Sequence, residues 1–176
     1  IEDYPMNSKP IKFADDFDTK YQVDTNEKLL LDELTINDGD KKTGAPYQAT
    51  HPDRFTSAMD NLRHKANIKF DEYTFIDLGC GKGRALLLAK DFGFQSIIGV
   101  EFASELAEIA RNNLKIADIF NSSIWEGDAG NYIFPSSKLV IYMYCPFYES
   151  VMQRVVANII NTTDNGGLYI VYMRPI

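Results

Sequence analysis

From residue 73 onward, short apolar runs alternate with amphipathic stretches, and this alternation limits the fold more than any other feature of the chain. Repeated strand, helix, strand units close most simply into a mainly parallel sheet with helices on both faces. Five strands are predicted, at Tyr73–Leu78, Ser96–Glu101, Ser123–Glu126, Lys138–Cys145 and Gly167–Met173. Most are near-continuous apolar runs, as strands covered on both sides require. Helices are predicted over Gly83–Asp91, from Ser104 with Leu106, Ile109, Ala110 and Leu114 on one face, and over Glu149–Asn161. The last carries Val151, Met152, Val155, Val156, Ile159 and Ile160 at helical spacing, a stripe read as core, and Asn165, Gly166 and Gly167 close it. A further helix, Pro52–Ala66, starts on a proline suited to a first turn and aligns Phe55, Met59, Leu62 and Ala66.

The 176 residues fit one core able to bury about two-thirds of the unfolded surface. Residues 1–51 read as a more polar N-terminal arm and loop, with a turn-rich stretch from Asn37 to Gly44, and residues 52–176 as the core. Net charge is -7, which disfavours broad binding to nucleic acid or anionic membrane through phosphate neutralisation. The longest uncharged apolar run, Leu139–Phe147, is too short to span a bilayer, and no signal peptide is evident, so the chain reads as soluble. The two cysteines, Cys80 and Cys145, are too few for a disulfide scaffold and lack zinc-site neighbours; they read as small reduced packing residues in a cytoplasmic protein with no metal. Oligomeric state is not encoded in any pattern here.

Chemistry concentrates where the first strand meets its helix, in TFIDLGCGKGRALLLA. Gly79, Gly81 and Gly83 permit positive backbone torsions and let a ligand lie against the main chain, and the helix start offers free amides. A glycine triplet by itself is equally ordinary turn chemistry. The acid Asp77 separates the alternatives: it would repel a pyrophosphate, but it suits a ligand with an ammonium or sulfonium group. An amino acid attached to a nucleoside meets both demands. Glu101, at the end of the second strand and followed by Phe102, stands where such folds bind a ribose diol. At the end of the third strand, Asp128 can accept from an adenine amino group and Ala129 can donate its amide. Lys82 and Arg84 read as solvated or ion-paired rather than as phosphate ligands, His51 as a helix-start residue and His64 as a helix-surface residue.

Through Asp77-Leu78-Gly79-Cys80-Gly81-Lys82-Gly83, Gly99-Val100-Glu101 and Gly127-Asp128-Ala129, residues 52–176 resemble the class I S-adenosylmethionine-dependent methyltransferases. The resemblance implies a three-layer, Rossmann-like doubly wound sheet of order 3-2-1-4-5, with S-adenosylmethionine as cofactor and S-adenosylhomocysteine as product. It implies that Gly79, Cys80, Gly81 and Gly83 approach the methionyl part, Asp77 its amino group, Glu101 the ribose and Asp128 the adenine. Phe17 to Thr25, with Tyr47-Gln48-Ala49-Thr50-His51-Pro52, is similar to a bacterial subgroup with an N-terminal arm, which carries Gly where this chain has Gln22. Similar arms in non-SET histone lysine methyltransferases close over the cofactor, implying that Tyr47 and Thr50 cap its methionyl end. Family members continue past the fifth strand into a helix and an antiparallel hairpin; this chain starts at Ile1 and stops at Ile176, so the expectation is either a portion of a longer protein or a shortened sheet edge that lacks an acceptor-binding region.

At the end of the fourth strand, Tyr144-Cys145-Pro146-Phe147 matches in part the segment that orients the acceptor in amino-methylating members, with Cys145 in place of an amide or acid. The acceptor-pocket candidates are Tyr144, Cys145, Phe147, Tyr148 and Glu149. Transfer would be an in-line displacement on the sulfonium methyl, accelerated largely by alignment. A general base is required only for some acceptors, and Glu149, Asp128 and Tyr148 are all open to that role. The acceptor, a small molecule or a protein side chain, is unidentified. Two other functions stay in view: a module that binds the cofactor without turnover, and a nicotinamide-dependent oxidoreductase, against which Asp77 argues.

Overall fold

The computed structural model describes residues 16–26, 29, 33–162 and 167–173. Five parallel strands form one sheet: β1 Thr74–Leu78, β2 Ser96–Glu101, β3 Ser122–Glu126, β4 Leu139–Tyr144 and β5 Leu168–Met173. Their order is β3-β2-β1-β4-β5, as predicted, and every pairing is parallel. Central β1 is buried throughout, whereas edge strands β3 and β5 are only partly covered. The register sets Asp77 between Gly99 of β2 and Tyr142 of β4, so the acid and the phenol share one face of the sheet.

Helices α2 (Pro52–Ala66), α3 (Arg84–Ala89) and α4 (Ser104–Ile116) cover that face. Phe55 of α2 meets Phe75 and Tyr142 edge-on, with ring centroids 5.8 and 5.2 Å apart. Helix α2 begins where His51 Nδ1 accepts the Asp53 amide, and ends at Asn67 in a left-handed conformation, φ 50°. On the opposite face, α5 (Glu149–Thr162) buries Val151, Val155 and Ile159 against Ile76, Leu78, Ile141 and Met143. The wider stripe expected there as core is corrected: Val156 and Ile160 are 42% and 70% exposed, because residues four apart make a narrow seam on one sheet face. The proposed helix over Gly83–Asp91 is also corrected. It divides into α3 and a 3-10 turn, Lys90–Phe92, which tightens onto Gly93. Asn165 and Gly166, expected to close the last helix, lie outside the described residues.

The N-terminal arm lies on the same side as α2 to α4. It holds the short helix α1, Phe17–Tyr21, and a 3-10 turn at Lys41–Thr43. Isolated antiparallel bridges join Ile36 to Ala103 and Gly44 to Phe147. Gln22 closes α1 in the left-handed region, φ 56°, where a side chain costs about 1 kcal/mol relative to glycine. Gln22→Gly is therefore expected to stabilise the protein by roughly 0.5–1 kcal/mol in urea denaturation. An unchanged or lower midpoint would contradict the turn geometry.

Candidate functional site

β1 ends at Leu78, and the amides of Gly79 and Cys80 both donate to the Val100 carbonyl, at 2.8 and 3.0 Å. The glycine loop thereby folds back over the end of β2. Its first two glycines are needed for this path. Gly79 and Gly81 have φ 77° and 53°, and a Cβ at Gly79 would stand 2.5 Å from Pro146, while one at Gly81 would stand 2.2 Å from the Tyr47 ring.

Glu101 is buried under the loop. Its Oε2 accepts the Gly81 amide at 2.7 Å, and Oε1 accepts the amides of Phe102 and Ala103, each at 2.9 Å. Read from sequence as a ribose ligand, it is also the internal brace of the loop. Burial pushes its carboxyl above the usual range, although the three amides pull it back down. A carboxylate offers about four acceptor positions, so roughly one remains for a ligand hydroxyl.

Asp77 presents the opposite situation. It is 3% exposed and receives no hydrogen bond among the described residues. Burial, reinforced by Glu101, pushes its carboxyl well above the usual carboxylate range. The Cys80 thiol beside it is raised by burial as well, then by Glu101 and Asp77. Against the same acid stands the Tyr142 hydroxyl, with Thr50 also beside it. Among the described residues Thr50 is its one polar neighbour of hydrogen-bonding kind, and the pair falls short of full hydrogen-bond geometry. Buried polar groups are normally paired, so unpaired ones at a glycine loop point to a ligand that completes them.

Lys82 and Arg84 supply no charge to this acid. Both are 1% exposed and are paired elsewhere, Lys82 Nζ with Asp24 at 2.8 Å and Arg84 with Asp18 at 3.1 Å. Of the expected solvated or ion-paired roles, the ion-paired one holds for both, and both are also buried, because arm residues 17–25 cover them.

Around the loop, Tyr47 lies over Gly81 and donates its hydroxyl to the Thr25 carbonyl at 2.6 Å, and Thr50 is buried. Phe102 packs on Gly44. At the next strand end, Asp128 Oδ1 accepts the Gly130 amide at 2.8 Å and Oδ2 pairs with Arg154 at 2.6 Å. The Asp128 amide donates to Asp38 at 3.1 Å, and Ala129 is buried beside it. Tyr144, Cys145 and Phe147 are half-buried, with Cys145 in the left-handed region at φ 44°, and Pro146 packs on Gly79. The Pro146 carbonyl accepts from Ala45, and the Tyr148 amide donates to Thr43. Tyr148 and Glu149 are exposed. Cys80 and Cys145 are both free thiols.

The structure therefore groups Asp77, the glycine loop, Glu101, Phe102, Tyr47 and Thr50 with the 144–147 segment, and places Asp128 and Ala129 at the adjoining strand end. Sequence reasoning missed Tyr142, Asp38, Asp18 and Asp24. The first of two hydroxyls in the apolar run LVIYMY was the available signal for Tyr142; Asp18 and Asp24 lay inside the Phe17 to Thr25 segment without a role assigned to them, and Asp38 had no signal beyond turn composition. A hollow of about 400 Å³, lined by Asp53, Arg54, Ser57, Ala58, Asn61 and Met173, contains none of these groups. Among the described residues, no cluster of three or more His, Cys, Asp or Glu could hold a metal ion, and no helix is long and apolar enough to cross a membrane.

Strand order, a glycine loop after β1 and acids at successive strand ends define a doubly wound α/β domain of the nucleoside-binding kind. Residues 75–167, more than half of the chain, match the family model described as a methyltransferase domain, and the chain belongs to that family. Among solved structures it is similar to a putative S-adenosyl-L-methionine-dependent methyltransferase from Methanococcus maripaludis, at 26% identity and TM-score 0.54, covering 68% of this chain and 56% of that one. The YcgJ protein from Bacillus subtilis superposes with TM-score 0.53 at 19% identity, covering 65% and 50%. An S-adenosylmethionine-dependent methyltransferase from Thiobacillus denitrificans, in complex with S-adenosyl-L-homocysteine, gives 0.53 at 17%, covering 68% and 48%. The chain spans about half the length of each of these three. No curated protein matches the sequence.

Proposed function

We propose that this chain binds S-adenosylmethionine at the glycine loop and transfers its methyl group to an acceptor. The observation that carries the reading is Asp77, a buried carboxyl that has no hydrogen bond and no cation among the described residues and stands beside a loop whose backbone is open to close approach. The residues fit this cofactor. Asp77 would take the methionyl ammonium, Glu101 a ribose hydroxyl through its remaining acceptor position, and Asp128 with Ala129 the adenine. Tyr47 and Thr50 would cap the methionyl end. When bound, the cofactor supplies an electrophilic methyl on a sulfonium, and the chain's contribution is alignment and exclusion of water. The relatives named as S-adenosylmethionine-dependent enzymes support this assignment.

The acceptor region runs along Tyr144, Cys145, Phe147, Tyr148 and Glu149, and a small molecule or a protein side chain suits a chain of net charge -7 better than a nucleic acid. We place the protein in the cytoplasm, where Cys80 and Cys145 stay reduced. Cys145, with no side-chain carbonyl to orient an amine, favours a second reading: a module that holds the cofactor without turnover. Methyl-labelled S-adenosylmethionine offered with protein and small-molecule fractions of a cell extract separates the two. Enzyme-dependent label in one fraction is the expected result. Tight cofactor binding with no label in any fraction would overturn catalysis and leave the binding module.

A further inference from the structure

Two cations flank Gly83, and neither faces solvent or the unpaired acid. Arg84 is 1% exposed, and a buried charge is tolerable only when its hydrogen bonds are met. The arm meets them. Arg84 Nε donates to Thr25 Oγ1 at 2.6 Å, its Nη2 donates to Asp18 Oδ1 at 3.1 Å, and the guanidinium lies 4.6 Å from the centre of the Phe17 ring. Asp18 also accepts the amides of Thr25 and Asn26, at 2.8 and 2.7 Å, and the Thr25 hydroxyl. Residue 25 is thus held at its amide and its hydroxyl by one carboxylate that is itself fixed to α3.

On the other side of Gly83, Lys82 pairs with Asp24 at 2.8 Å. Asn113 of α4 joins the two segments: its Oδ1 accepts the Asp24 amide at 3.0 Å, and its Nδ2 donates to the carbonyls of Asp24 and Lys82, at 2.7 and 2.9 Å. What this grip leaves pointing toward the ligand side is the Thr25 carbonyl, which accepts the Tyr47 hydroxyl at 2.6 Å and so sets the ring over Gly81.

We infer that Asp18 and Thr25 are positioning residues for cofactor binding, acting through buried Arg84 and through Tyr47 to fix the ring that covers the glycine loop. The inference rests on the assignment of this loop to S-adenosylmethionine. The chain of contacts runs Arg84, Asp18, Thr25, Tyr47, Gly81, and breaking any link frees the ring from the loop. Asp18→Asn keeps the size of the side chain but weakens its grip on Arg84. Tyr47→Phe keeps the ring and removes only the bond to Thr25.

Calorimetric titration with S-adenosylhomocysteine, on folded wild type, each single variant and the double variant, tests this. Each single change is expected to weaken binding about 10-fold, and the double variant to be little weaker than either, because both cut the same chain. Equal wild-type and variant affinities, or single losses that multiply to about 100-fold in the double variant, would overturn the inference while leaving the cofactor assignment intact. If Asp18→Asn does not fold, Tyr47→Phe decides by itself: a loss of binding supports the inference and an unchanged affinity removes it. No binding by folded wild type would overturn the cofactor assignment and this inference together.

Discussion

Asp77→Asn is expected to raise the melting temperature of the ligand-free protein while weakening S-adenosylhomocysteine binding. The carboxyl is 3% exposed, receives no hydrogen bond among the described residues and has Glu101 as its charged neighbour, so ionising it in the folded state is unfavourable. Because burial and then Glu101 raise its folded pKa above the ordinary 3.8, its contribution to stability is complete below that value. The contribution is lost as pH climbs through the folded value. The gap between variant and wild type should therefore be small near pH 4 and largest above neutrality. An amide in place of an unpaired buried acid should gain about 1–3 kcal/mol there, or roughly 3–8 °C for a chain of this length.

Binding should move the opposite way. An ammonium group beside Asp77 needs the ionised acid, so where the free acid is protonated complex formation releases a proton, and wild-type affinity rises with pH until the ligand's own amino group loses its proton, at about pH 8. Asparagine removes that charge pair, at a cost of about 10- to 100-fold in affinity. Thermal melts from pH 4 to 9, with titrations at each end, give both halves. A variant that melts lower than wild type at high pH, or binds equally well, would show that Asp77 is not the unpaired acid of a ligand site.

Glu101→Ala should cost more stability than any other change at the site. Its carboxylate takes the amides of Gly81, Phe102 and Ala103, and truncation leaves all three unpaired where water has little access. At about 1–3 kcal/mol for each buried donor left open, even partial relaxation costs roughly 3–6 kcal/mol, a large part of a domain's usual 5–15 kcal/mol. The melting temperature should fall by about 10 °C or more. Glu101→Gln, which keeps one carbonyl oxygen, should fall between the two. Circular dichroism melts read this directly. An alanine variant within about 2 °C of wild type would mean that the loop does not depend on this brace.

What could be read from sequence was what periodicity and local chemistry encode. Apolar runs of strand length, broken by Gly93 and the Gly79 to Gly83 loop, were enough to mark five strands of a parallel sheet, because strand, helix, strand units leave few other arrangements, while their observed order was implied by the resemblance to the methyltransferases. Glu101 was placed at the ligand edge for the same reason, as the last residue of an apolar strand. Its second role was hidden, since it depends on the Gly81 amide, twenty positions earlier in the chain, turning to meet it. The buried cations show the limit more sharply. Lys82 and Arg84 look like surface residues at a helix start, and only the return of residues 17–25 from the far end of the chain buries them. Likewise the Val151 to Ile160 stripe was apolar throughout, but the face of α5 that meets the sheet is narrower than its hydrophobic content.

The most direct test is calorimetric titration of the purified chain with S-adenosylmethionine, S-adenosylhomocysteine and NAD. Binding of both sulfur nucleosides, with proton release for each and no binding of NAD, is the predicted result. Binding of NAD in place of either sulfur nucleoside would contradict it, because a pyrophosphate brings no cation to pair with Asp77.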